Sequence, residues 1–261
     1  MTQKIHPTAI IDPNAELASD VEVGPYAIIG PNVKIGEGTV VQANAYLSGH
    51  TTIGKNCEIF PFACVGMKTQ DLKYQKGDVT YAEIGDNTVL REFSTVHLGT
   101  RLGEVTRVGK NCLVMAYCHV AHGCTVGNHV IMSNLASMAG EVTVGDHAIL
   151  GGMAGIHQFC RIGEYAMIGG MSKIRQDCPP YMIVESIDGE TKVRSPNIVG
   201  LQRAGFSEET RRALKEAFRL LYREGLNHSQ ALERIKLEVD QTPEIVKLVT
   251  FFGNSGSRGV Y

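Results

Sequence analysis

The sequence contains no tryptophan, and aromatic residues make up only 7% of it. A wide core filled by large rings is excluded in favour of a narrow one. No apolar stretch reaches the roughly eighteen residues that a membrane-spanning helix needs. The first residues, Met1 to Pro7, lack the apolar run of a secretion leader. Neither charge sign dominates: 25 Lys and Arg face 27 Asp and Glu, and the pI is near 6.5. A strongly basic nucleic-acid binder is excluded on that ground. Seven cysteines are present without a Cys-x-x-Cys pair, which argues against a disulfide framework or a zinc knuckle. A reducing compartment, and so a cytoplasmic location, is the expectation. What is abundant is glycine, 29 residues in 261, beside a hydrophobic fraction of 43%. That fraction supports a core and excludes wholesale disorder. The length suits one large domain, or one domain with an appendage.

A six-residue period runs through most of the chain. Counting by sixes from Ile5 to Val65, and again from Ile84 to Ile174, meets 27 positions, all Ile, Leu, Val or Met. Glycine follows the aliphatic in 13 of them, as at Ile29-Gly30 and Val126-Gly127. Glycine suits a corner where the backbone turns sharply. The fourth residue after the aliphatic is usually small, as at Ala27, Ala45, Cys118 and Ala136. Six is neither the helical period nor the alternation of a sandwich strand. The pattern resembles the hexapeptide repeat of left-handed parallel β-helices, in which three strand-and-corner units make one triangular coil. The fold class expected is all-β, a left-handed parallel β-helix followed by a C-terminal α-helical domain. Cys57, Cys112, Cys118, Cys124, Cys160 and Cys178 occupy the small inward position, so they are read as buried thiols packing like alanine.

Residues 66–83 break the period and shift its phase, which predicts a loop projecting from the prism. After Pro179-Pro180 the hexads end and charged residues become frequent. The division expected is 1–180 for the β-helix and 181–261 for the helical part. Within the latter, Ser207 should cap a helix to about Glu224. A second helix should run from about Ser229 to Asp240. A third should start at Thr242-Pro243, with proline at its first position, and end near Gly253.

Residues 18 apart should lie one above another, about 4.8 Å apart, the ordinary strand spacing. His122, Gly140 and Gln158 then form one column, and Gly123, Glu141 and Phe159 the next. Positions two and three after the aliphatic should point outward, giving an exposed strip with His119, His122 and His157. Metal binding is a competing use for such a strip. The spacing of His97, His119 and His122 does not match the ligand pattern of the β-helical gamma-class carbonic anhydrases, so no metal is expected.

Several stretches resemble the UDP-N-acetylglucosamine O-acyltransferases that begin lipid A synthesis. They are His119-Val120-Ala121-His122-Gly123-Cys124-Thr125-Val126-Gly127-Asn128, Gln70-Asp71-Leu72-Lys73-Tyr74 in the loop, and Ile156-His157-Gln158-Phe159-Cys160. Ile5-His6-Pro7-Thr8-Ala9, Gln176-Asp177 before Pro179-Pro180-Tyr181, and Gly205-Phe206-Ser207 extend the likeness over the whole chain. The resemblance implies transfer of a 3-hydroxyacyl group from acyl carrier protein to the glucosamine 3-hydroxyl of a UDP-sugar. It implies His122 as general base and the Gly140 N–H as oxyanion donor. By the same resemblance Gln70, Asp71 and Lys73 hold the sugar nucleotide, and His119, His157 and Gln158 contact sugar and acyl chain. Asn197 and Arg203 lie at the nucleotide end, and Gly170 leaves an acyl groove open for a long chain. No cofactor is implied beyond the carrier. A homotrimer is implied, with sites between subunits and the loop of one closing the site of its neighbour. On the Ser207 helix, Arg211, Arg212, Lys215, Arg219 and Arg223 are candidates to receive the acidic carrier.

The chain departs from the family pattern at a few places. Gly123 stands where an aspartate is usual after the histidine, and Glu141 where a second histidine is usual. The carboxylate is expected to have moved up one coil, so that Glu141 orients His122 or reads the sugar. The stretch Glu185-Ser186-Ile187-Asp188-Gly189 and the residues Val199 and Ala204 also differ. The alternative activity is N-acylation of a 3-amino sugar nucleotide; a scaffold without catalysis is the alternative of another class.

Overall fold

The computed structural model of the protein describes residues 4–254, 256 and 258–261; Met1, Thr2 and Gln3, read above for a leader, lie outside them. Its main body is a three-faced prism built from sheets of 11, 9 and 8 strands, all parallel but for the last strand of the eleven, wound as a left-handed β-helix. Most strands are only two residues long. Most pair with the strand 18 positions on, as Val120 with Met138 and Met138 with Ile156. The inward aliphatics fill the bore: Leu47, Leu90, Val120 and Met132 are fully buried, and so are the small residues Ala27, Ala45 and Cys124 between them. The six inward cysteines are all buried, as expected. Corners are made by residues of positive φ. One corner stacks Asn56, Asn87 and Asn111, a residue type that tolerates the left-handed region. Ile5, in the first described coil, stays 41% exposed.

Two excursions leave the coil. The first lies between strands Cys64–Met67 and Tyr81–Ile84, so it is 68–80 rather than 66–83. Ile53 pairs with Ile84, 31 positions away instead of 18. The second was not expected. Val96 pairs with Val120 and Ile84 with Val108, each 24 apart, so six residues leave the coil around 98–104. Leu102, counted above among the inward aliphatics, is 72% exposed. An excursion of one whole hexad preserves the phase, which is why the periodicity hid it.

Beyond Pro180 the chain first extends the eleven-stranded sheet. Strand Met182–Ile187 pairs in parallel with Met167–Ile168 and then folds back as Glu190–Pro196. The turn is Asp188-Gly189, both at positive φ, a hairpin dipeptide. Four helices follow: α1 (Ile198–Arg203), α2 (Glu208–Tyr222), α3 (His228–Glu238) and α4 (Pro243–Gly253). Hairpin and α1 were not anticipated. Ser207 and Thr242 cap α2 and α4 as expected, while α3 starts one residue early on an Asn227–Gln230 capping box. The helices are tied to the prism by Arg161, which donates to the buried Asp177 at 2.7 Å and to the Phe251 carbonyl at 3.2 Å. Lys247 adds a pair to Glu164 at 2.7 Å.

Candidate active site

The nine-stranded face carries a cleft of about 640 Å³, roofed at one end by the first excursion. Its floor is set by residues one coil apart: His119, Ser137, Gly155 and Lys173 along the strands, and His122, Gly140 and Gln158 at the adjoining corner. The two predicted columns are therefore real. Glu141 N–H donates to the His122 carbonyl at 2.9 Å, and Phe159 N–H to that of Gly140 at 3.2 Å. Gln70, Asp71 and Lys73 reach in from the excursion of the same chain.

His122 lies outside the bore, yet it is only 8% exposed, which corrects the expectation of an open strip. The two excursions cover it. Its Nε2 is 3.5 Å from Asp71 Oδ2, and its Nδ1 is 3.8 Å from Glu104 Oε2. Gly140 leaves the imidazole its place: a Cβ there would collide with Nε2 and Cε1 of His122. His119 accepts or donates at Nδ1 to Thr95 Oγ1 at 2.7 Å, and its ring meets His97 edge-on at 4.8 Å. Burial, helped by His97, holds His119 down to about 4. His97 is pushed down as well, by burial and then by His122. Both rings are thus neutral near pH 7 and present apolar faces and single hydrogen-bonding atoms to the cleft.

Hexapeptide-transferase family models match residues 4–36, 32–66 and 106–140, and a model described as UDP-N-acetylglucosamine O-acyltransferase, domain 2, matches 177–261. An acyl-[acyl-carrier-protein]–UDP-N-acetylglucosamine O-acyltransferase of Thermodesulfovibrio yellowstonii is 46% identical over 258 residues, 98% of each chain. One from Ralstonia nicotianae is 49% identical, over 93% of this chain and 90% of the relative. The chain belongs to the UDP-N-acetylglucosamine O-acyltransferase family. Solved structures agree. LpxA of Acinetobacter baumannii superposes with a TM-score of 0.92 at 45% identity, covering 98% of both chains. The Bacteroides fragilis UDP-N-acetylglucosamine acyltransferase gives 0.94 at 41%, covering 98% of this chain and 99% of its own.

Within this acyltransferase fold the other predicted residues are distributed unevenly. His157 is exposed and lines the cleft beside Gln158. Gly170 sits at the opposite edge of the same face, on the turn that leads to Lys173, and does not line the cleft. Asn197 and Arg203 do not line it either. Asn197 is a buried helix cap: its Oδ1 accepts from Gly200 N–H at 3.2 Å and its amide donates to the Tyr165 carbonyl at 3.0 Å. Arg203 ends α1 and is exposed. Glu141 turns away from the cleft and accepts from Arg101 at 3.0 Å. Residues missed by sequence are Glu104 and Arg101, delivered by the hidden second excursion, and Lys173 and Arg175 at the cleft's far end. Leu102-Gly103 mimics the aliphatic-glycine corner, so nothing in the repeat betrayed them. Glu104, His122 and Glu141 offer ligand atoms within 4.8 Å of one another. Arg101 pairs with both carboxylates, at 3.7 and 3.0 Å, so one of their two negative charges is matched by the guanidinium.

Proposed function

We propose that the chain transfers a 3-hydroxyacyl group from acyl carrier protein to the 3-hydroxyl of UDP-N-acetylglucosamine, the first step of lipid A biosynthesis. The names of the relatives favour this O-acylation over the amino-sugar alternative. The observation that carries the chemistry is His122: nine-tenths buried, with Nε2 turned to the cleft beside a glycine whose missing Cβ leaves the ring its place. A sugar hydroxyl attacks a thioester poorly until its proton is removed, and a shielded imidazole suits that task. The Gly140 main chain lies where a thioester carbonyl can approach it closely, so its N–H stabilises the developing oxyanion. Gln70, Asp71 and Lys73 hold the nucleotide sugar from above, His119, His157 and Gln158 from below, and Lys173 and Arg175 add positive charge. The acyl group is exchanged between sulfur and oxygen with no further cofactor.

Asn197, Arg203 and Gly170 enter this scheme through a homotrimer with sites between subunits, in which a second copy of the chain brings Arg203 toward the nucleotide phosphates. Sedimentation analysis tests the trimer. The cytoplasm, where acyl carrier thioesters are made, is the compartment proposed; among the described residues no helix is long and apolar enough to cross a membrane.

The test is thiol release from a 3-hydroxyacyl carrier thioester in the presence of UDP-N-acetylglucosamine. His122→Ala should lower turnover by on the order of 10²–10⁴-fold with the melting transition retained. Activity within a few-fold of wild type would remove His122 from the reaction.

A further inference from the structure

The two ring nitrogens of His122 have different surroundings. Nε2 faces the cleft. Nδ1 is buried and, among the described residues, has no hydrogen-bond partner within normal distance; Glu104 Oε2 lies 3.8 Å away. Glu104 is itself held in place. The Thr100 N–H donates to its Oε2, Arg101 Nη1 lies 3.7 Å from its Oε1, and its side chain is only 16% exposed. Gly123, directly after His122, leaves room shared by two side chains: a Cβ there would sit 3.0 Å from Glu141 Cγ, 3.2 Å from Glu104 Cδ and 3.3 Å from Glu104 Oε1. Glu141, by contrast, accepts from Arg101 at its Oε1 and, among the described residues, forms no ion pair with the imidazole.

We infer that Glu104, carried in by the 98–104 excursion, is the positioning residue of the catalytic histidine, accepting the Nδ1–H of His122 and so directing the Nε2 lone pair into the cleft. The inference rests on His122 being the general base. A closure of about 1 Å brings Nδ1 and Oε2 to ordinary hydrogen-bonding distance. With its proton fixed on Nδ1, the ring presents one basic nitrogen to the sugar hydroxyl. The carboxylate also favours the imidazolium formed when that proton is taken. Arg101 braces Glu104 from behind and binds Glu141 as well, so Glu141 acts one step further from the ring.

The experiment is the pH–rate profile of wild type, Glu104→Gln and Glu104→Asp. The groups facing His122 are Asp71 from the first excursion, His97 from the strand Thr95–His97, Glu104 and Arg101 from the second excursion, and Glu141 from the corner above. Glu104→Gln removes a negative charge beside Nδ1. Its acidic limb in kcat/KM should move down by on the order of one pH unit. Its kcat should fall at least about tenfold with KM little changed, and Glu104→Asp should recover part of both. A folded Glu104→Gln protein with wild-type kcat and an unmoved acidic limb overturns the inference. His122→Ala separates the two claims: if it is active, the general-base reading fails and this inference with it. If it is inactive while Glu104→Gln behaves as wild type, only the positioning role falls. Should Glu104→Gln fail to fold, Glu104→Gly combined with Gly123→Asp supplies a carboxylate in the same space from the neighbouring backbone. A kcat and acidic limb close to wild type in that double variant support the role, and a folded but inactive one overturns it.

Discussion

At the scale of single residues, the site depends on an atom that is missing. The Gly140 main chain passes so close to His122 that any side chain would displace the imidazole. Misplacing a reacting group by about 1 Å costs on the order of 10²-fold in rate, so Gly140→Ala should reduce kcat by that order while the melting temperature changes little. Steady-state kinetics beside thermal melts check this, and unchanged kcat would place the reacting atoms elsewhere. His119 makes a second prediction. Burial holds its folded-state value at about 4, below the ordinary 6.5, so the unfolded chain takes up the proton first. Its contribution to stability is complete above about pH 6.5 and drains away as pH falls toward about 4. His119→Gln should therefore flatten the decline of melting temperature across that window. A slope equal to wild type would show that some other group controls acid sensitivity.

At the scale of elements, α2 shows how packing sorts a charged face. The five cations on it are not equivalent. Arg219 is held by Glu216 and Glu224, and Arg212 pairs with Asp240 at 3.2 Å. Arg223 lies over the Phe218 ring, 5.3 Å from its centroid. Arg211 and Lys215 border a small hollow with Ile198 and carry no ion pair among the described residues. If the acidic carrier docks on this helix, reversing the charge of Arg211 and Lys215 should raise KM for the carrier thioester about three- to tenfold, with kcat preserved, and added salt should do likewise. KM indifferent to both would move the docking surface off α2. Reversal at Arg219 should instead loosen the network with Glu216, Glu224 and Arg234.

At the scale of the molecule, the bore of the prism is filled by aliphatic and small side chains, and the six inward thiols are buried among them. Burial pushes Cys118 and Cys160 up to about 11 and Cys124 to about 12. The thiolate is the reactive form, so alkylation of the native protein should modify Cys64, the one half-buried cysteine, well before any other. The remaining six should react together as the coil unfolds. Peptide mass mapping after timed iodoacetamide treatment reads this out, and early labelling of Cys124 would contradict a closed bore.

The sequence by itself determined the prism, because stacking of identical six-residue units is a local rule: each aliphatic faces inward whatever lies far away. It also determined the columns of His122, Gly140 and Gln158, the caps Ser207 and Thr242, and the first excursion, whose thirteen extra residues break the phase. Only the tertiary structure decided what surrounds His122. The second excursion spans one whole hexad and so left the period intact while carrying Glu104 and Arg101 to the imidazole. The anchoring of Asn197 was hidden too: its cap bond to Gly200 is local, but its amide donates to a carbonyl 32 residues away in the prism. Repetition fixes neighbours along the coil; where chain leaves the coil, its destination is set by packing between segments that no period relates.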